Sequence, residues 1–177
     1  MKSGHRGCLA LIALIASTAC SGGGQASAIY REPEPGVVEF VYGTTEGTEF
    51  SSRGTRGRAT AVLFVTTYDL ASQLMARRLD EVLRYHKPRA NAGAVVLEAP
   101  KYAPFADAFK TTLGLSYPVA LADDETRDRR GPFGRIDRVP TLVVLSRSGR
   151  EVWRRPGVAS TREIEGALSK AASGSLR

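Results

Sequence analysis

Residues 59–65, "ATAVLFV", are apolar without a break and rich in β-branched side chains. A strand buried on both faces has this pattern. After Asp69 the period changes. Leu70, Leu74, Met75, Leu79, Val82 and Leu83 fall three and four apart, which predicts one face of a helix. "YHKP" ends it, with basic residues at the negative helix end and Pro88 as the stop. "AGAVVLEA" predicts a second buried strand. "APFADAFKTTLG" predicts a second helix, with Phe105, Phe109 and Leu113 on one face and Gly114 as its C-cap.

The remaining segments are shorter. "VVEFVYGTTEGTEFSS" has two alternating runs around Gly43 and Gly47, a hairpin signature. "RGTRGR" is a basic loop. "PVALAD" predicts a short strand, and "DETRDRRGPFGRIDR" a charged connection with room for a short helix. "TLVVLS" is a third buried strand, "RSGR" a turn, and "EVWRR" an edge strand. Ser160 and Glu163 have capping-box spacing before Ile164 and Leu168, so the chain closes on a helix. The order is β-hairpin, β, α, β, α, β, then β-β-α. It requires a parallel crossover early and an antiparallel hairpin late.

The ends add localisation. In the first twenty residues Lys2 and Arg6 precede "CLALIALIASTA", an apolar run closed by small residues. That is the order of a secretory signal, and the run is short of the roughly 20 residues of a membrane span. It ends at Cys20 in "STAC", before "SGGGQAS". This resembles the lipobox of bacterial lipoproteins, with Ser17 where leucine is usual. The resemblance implies lipidation at Cys20 and an exported, lipid-anchored protein on the periplasmic side of the inner or outer membrane. A cut near Ala19 or Ala28 by an ordinary signal is the alternative. Residues 21–36 are then a Gly/Ser- and Pro-rich tether, 37–172 the folded domain and 173–177 a tail.

The chain has 177 residues, room for one domain, and two cysteines, Cys8 and Cys20. With Cys8 in the signal and Cys20 under lipid, the domain has no thiol and no disulfide. The formal charge of +7 falls to +5 without Lys2 and Arg6. Arginines scattered among acids in an exported protein point away from nucleic acid.

The element order, with "GRATAVLFVTTYDLAS", "LGLSYPVALADD" and "GRIDRVPTLVVLSRSGREVWRRPG", resembles the thioredoxin-like superfamily. Within it the exported, membrane-tethered thioredoxin-like proteins of the TlpA and redoxin type are the nearest pattern. The likeness covers about residues 38–172 and implies a thioredoxin-like α/β fold, a central mixed sheet flanked by helices with an N-terminal hairpin. It aligns Tyr68 with the aromatic residue before the family's Cys-x-x-Cys motif. Asp69 and Ser72 take the two cysteine positions. Val139-Pro140-Thr141 matches the cis-proline turn, which implies a cis Val139–Pro140 bond.

Without sulfur, thiol–disulfide exchange has neither an attacking thiolate nor a resolving partner. Asp69 keeps a negative group at a helix start, or is simply the helix cap. Ser72 as a hydrolytic nucleophile needs a base. His86, fourteen residues along the same predicted helix, lies roughly 21 Å away. No cofactor or metal is expected. Asp123, Asp124 and Glu125 lack calcium-loop spacing, Gly57, Gly131 and Gly134 form no phosphate fingerprint, and Trp153 is a packing residue.

What remains is the groove that the family's cis-proline turn offers to an extended peptide. The resemblance places Tyr68, Asp69, Val139, Pro140 and Thr141 along it, with Arg138 beside it to meet an acidic group. Alternatively, Pro140 only holds the fold. The expectation is a membrane-tethered, non-catalytic module that binds or scaffolds a protein or peptide of the cell envelope. The alternative is a thiol–disulfide oxidoreductase or antioxidant-family protein working through a partner's cysteines or an unrecognised site.

Overall fold

The computed structural model describes residues 36–173. The predicted signal, Cys20, nearly all of the predicted tether and residues 174–177 lie outside the described residues. The predicted order is found: β1 (Val41–Gly43), β2 (Glu49–Ser51), α1 (Ser52–Thr55), β3 (Thr60–Val65), α2 (Leu70–Tyr85), β4 (Asn91–Val96), α3 (Ala103–Leu113), β5 (Val119–Leu121), α4 (Asp124–Arg127), β6 (Thr141–Leu145), β7 (Glu151–Pro156) and α5 (Thr161–Ser173). The strands form a five-stranded sheet in the order β5-β4-β3-β6-β7 and a separate hairpin β1-β2. β4 and β5 run parallel to their neighbours, and β6 and β7 antiparallel.

β3 is central, and all six of its residues are buried. Alternation divides them. Ala61, Leu63 and Val65 face a cluster with Met75 and Leu79 of α2, Phe109 of α3, and Ile164 and Leu168 of α5. Val62 and Phe64 face the other way, into a cluster with Phe40, Tyr42, Phe50 and Phe133. Full burial of side chains of this size contributes about 1.5–3 kcal/mol each, so both faces must be covered. Helices cover one face. The hairpin and the 122–140 connection cover the other, with ring centroids 5.1 Å apart for Phe40–Phe50 and Phe64–Phe133. Gly93 makes room here: a Cβ on it would stand 2.5 Å from the Phe50 ring.

Local chemistry sets the boundaries. Gly114 closes α3 in the left-handed region at φ +63°. The Ser160–Glu163 box opens α5, with the carboxylate accepting from the Ser160 N–H at 2.8 Å. Tyr42 is buried with its hydroxyl 2.9 Å from Thr126 Oγ1, and burial pushes its phenol up to about 12.

Three expectations are corrected. "RGTRGR" is not all loop: Ser52–Thr55 make a helical turn capped by the Ser51 hydroxyl. Leu70 and Leu74 do not join the core face of α2; they are 77% and 47% exposed. At about 100° per residue Leu70 lies about 180° round from Leu79, so the spacing had merged two opposite stripes. Phe105 is also outward, 58% exposed, in the first turn of α3, where its ring meets Tyr102.

Candidate functional site

β3 delivers the chain to the site. Beyond Val65 the backbone passes through Thr66, Thr67 and Tyr68 to Asp69, the N-cap of α2. Asp69 has extended dihedrals, and its carboxylate accepts from the Ser72 N–H at 2.9 Å and the Ala71 N–H at 3.4 Å. The Ser72 hydroxyl donates to the same carboxylate at 2.8 Å. Its oxygen in turn accepts from the Thr66 N–H at 3.3 Å. Partial burial pulls the Asp69 carboxyl up, but the Ser72 hydroxyl and the two amides outweigh it and hold the group below the usual carboxylate range.

This geometry bears on nucleophilic chemistry. Ser72 is completely buried, so no substrate atom can approach its oxygen. Its proton is held by a carboxylate whose lowered pKa makes it a weak base. His86 is not near: it caps the far end of the continuous helix α2. Among the described residues no group of three or more His, Cys, Asp or Glu side chains is placed to hold a metal ion.

The loop is clamped from β4. Thr67 donates through its hydroxyl to Glu98 at 2.8 and 2.9 Å and through its N–H to the same carboxylate. Gln73 Nε2 donates to the Thr67 carbonyl at 3.2 Å. Sequence reasoning missed Glu98. The available signal was a lone acid closing an apolar strand at the sheet end where the site lies.

The second arm comes from β6. Phe64 pairs with Thr141, so Val139 and Pro140 emerge at the same end of the sheet as Thr66–Asp69. The Val139–Pro140 bond is cis, as the resemblance implies. Pro140 and Thr141 do not line a surface with their side chains. Both are buried, because they frame the turn: Thr141 Oγ1 donates to the Arg138 carbonyl at 2.6 Å, and the Pro140 carbonyl accepts from the Gly157 N–H at 2.7 Å. Val139 is half-buried, and its N–H and C=O have no hydrogen-bond partner among the described residues. Arg138 is exposed and makes no ion pair there.

Around the start of α2 the surface carries exposed apolar side chains. Tyr68 is 79% exposed and lies beside Leu70. A cleft of about 260 Å³ opens between the start of α2 and α3, lined by Thr67, Tyr68, Gln73, Phe105, Phe109 and Leu113 among others. Large exposed apolar side chains grouped beside a half-buried turn are a feature of binding surfaces.

Solved structures show the same architecture. A thioredoxin-family thiol:disulfide interchange protein from Chlorobium tepidum superposes with a TM-score of 0.63 at 25% identity, over 80% of this chain and 97% of that one. A secreted Mycobacterium tuberculosis disulfide oxidoreductase gives 0.61 at 17% identity, over 75% and 96%. The exposed lipoprotein thioredoxin of Streptococcus pneumoniae gives 0.58 at 17%, over 75% and 98%. No protein-family profile and no curated protein matches the sequence. The fold is thioredoxin-like, a mixed α/β sheet with an N-terminal hairpin, and the chain is a thioredoxin-like superfamily member.

Proposed function

We propose that this chain is an exported, membrane-tethered thioredoxin-fold module that binds an extended segment of an envelope protein and performs no thiol–disulfide chemistry. One observation carries the reading. At the positions that the resemblance assigns to the two cysteines, Asp69 and a fully buried Ser72 are bonded to each other and to the start of α2. A site holding only these groups has nothing to form a mixed disulfide.

Binding would use what the site leaves open. The free N–H and C=O of Val139 fit strand addition, in which an extended peptide supplies the missing partners. Each such bond contributes about 0.5–1.5 kcal/mol net. Tyr68, Leu70 and Phe105 supply apolar contact, and Arg138 favours an acidic group near the segment.

A photoreactive side chain at Val139 or Tyr68 of the full chain tests this in intact membranes. The reading expects adducts to the same protein from both positions and none from Glu165, exposed on α5. Equal adducts from all three positions, or none from any, would contradict it.

The second reading, a thiol–disulfide protein working through a partner's cysteines, is favoured by what the similar structures are: a thiol:disulfide interchange protein and a disulfide oxidoreductase. It expects the same adducts to require a free cysteine on the partner.

The tethering part of the proposal rests on "STAC" followed by "SGGGQAS". Among the described residues no helix is long and apolar enough to cross a membrane. Cys20→Ala should leave the protein soluble or unprocessed when membranes are fractionated. Unchanged processing and fractionation would refute lipidation at Cys20.

A further inference from the structure

We infer that the end of the sheet opposite the groove is a docking face for anionic lipid headgroups, holding the domain on the membrane with the groove turned outward. Strand register defines the two ends. Thr60, the first residue of β3, pairs with Asn91 and with Leu145, so α1 and the 56–59 loop, the 86–90 connection and the β6–β7 turn share one end. Asp69, Val139 and Pro140 lie at the other, beyond six strand residues, or roughly 20 Å.

Among the described residues the near end concentrates basic side chains that have no ion-pair partner. Arg58, Arg89 and Arg147 line one cleft of about 360 Å³, and its other lining residues, Gly57, Ala59, Pro88 and Ala172, carry no charge. Arg53 and Lys87 stand on the same connectors. All five are exposed, and none is ion-paired among the described residues. Arg147 only donates to the Gly57 carbonyl at 3.1 Å. Elsewhere several arginines are paired, Arg127 with Asp124, Arg129 with Asp137, Arg130 with Asp128 and Arg154 with Glu151, while Arg77, Arg138 and Arg162 are exposed without an ion pair among the described residues but stand apart from one another in the chain. Arg56 and Arg84 at the near end are likewise paired, with Glu39 and Asp80. Unpaired acids nearby among the described residues are Glu49, in the neighbouring cleft, and Glu81, near the end of α2. The far end mixes signs, with Asp69, Glu98 and Asp123–Glu125 beside Arg138 and Lys101.

Several anions complement such a face. The entry of the chain selects among them. Val37 bridges to Arg150, and the Val38 N–H donates to the Gly149 carbonyl at 3.0 Å. The segment carrying Cys20 therefore joins the domain at the basic end, beside the β6–β7 turn. This step rests on the tethering proposed above; the charge asymmetry does not. Basic side chains next to an anionic leaflet each strengthen attachment by roughly fivefold, within a Debye length of about 8–10 Å.

The test uses the full chain with an environment-sensitive dye on Ser148→Cys, in the β6–β7 turn, or on Lys101→Cys, at the far end. Vesicles of phosphatidylcholine are compared with vesicles containing phosphatidylglycerol. Flotation with both types reports the anchor. Flotation with the anionic type alone reports the face without the anchor, and flotation with neither refutes both. With the anchor in place, the Ser148 dye should shift to the blue only on anionic vesicles, and the Lys101 dye on neither. High salt, or Arg58→Glu with Arg89→Glu and Arg147→Glu, should abolish the shift while flotation persists. For a soluble chain, that triple reversal should weaken anionic-vesicle binding by at least about a hundredfold. Unchanged circular dichroism shows that the variant is folded. A Ser148 signal equal on the two lipids, or a shift at Lys101 instead, overturns the inference.

Discussion

Asp69 and Ser72 act as a cap. Carboxylate, hydroxyl and two amides satisfy one another at the start of α2, an arrangement worth about 1 kcal/mol in helix stability. Asp80 does comparable work deeper in the fold. It is buried, accepts from the Ser116 N–H at 2.8 Å and from its hydroxyl, and is paired with Arg84 at 2.7 Å, tying α2 to the approach to β5. Burial pulls its carboxyl up, and the Ser116 and Arg84 bonds more than offset that and leave it below the usual range. A carboxyl with a lower pKa in the folded than in the unfolded chain stabilises fully above the unfolded value, about 4, and stops doing so as pH falls through the folded value. Asp80→Ala should thus cost about 2–3 kcal/mol in urea denaturation near neutral pH, and less as the pH drops below about 4. A gap independent of pH would mean that the charge of Asp80 contributes nothing.

Individual elements were legible where one physical signal dominated. β3 and β6 are uninterrupted apolar runs, and the α5 cap has its own spacing. Which face of α2 turns inward was not legible. Leucines stand on both sides of it, and only the sheet decides that Met75 and Leu79 are buried while Leu70 and Leu74 are not. The candidate site was half legible for the same reason. Asp69, Val139 and Pro140 follow local patterns, whereas Glu98 meets Thr67 only after two parallel strands are set side by side. Thr141 could be located but not oriented, because its bond to the Arg138 carbonyl depends on the turn. Leu79→Ala should therefore cost about 2–5 kcal/mol and Leu70→Ala well under 1 kcal/mol in thermal or urea unfolding. Comparable losses would mean that the outward stripe of α2 is covered in the folded protein. Loss of partner adducts in a Leu70 variant of normal stability is the outcome the binding proposal expects.

At the scale of the whole molecule two ends are distinguished. One gathers the cap, the cis-proline turn and exposed aromatic side chains; the other gathers arginines with no ion pair among the described residues and the entry of the chain. In the function proposed above, the thioredoxin-like scaffold is kept at the first end and only its sulfur chemistry is missing. Asp69→Cys with Ser72→Cys tests this most directly, in an insulin-reduction assay with dithiothreitol. The Ala71 and Ser72 amides that now bond the Asp69 carboxylate would stabilise a thiolate there and lower the pKa of the first cysteine. The parent chain should give no turnover above the reagent blank. The double variant should form an intramolecular disulfide and give measurable reduction. Turnover by the parent chain, or two thiols that stay free under oxidising conditions in a folded double variant, would contradict the proposed function.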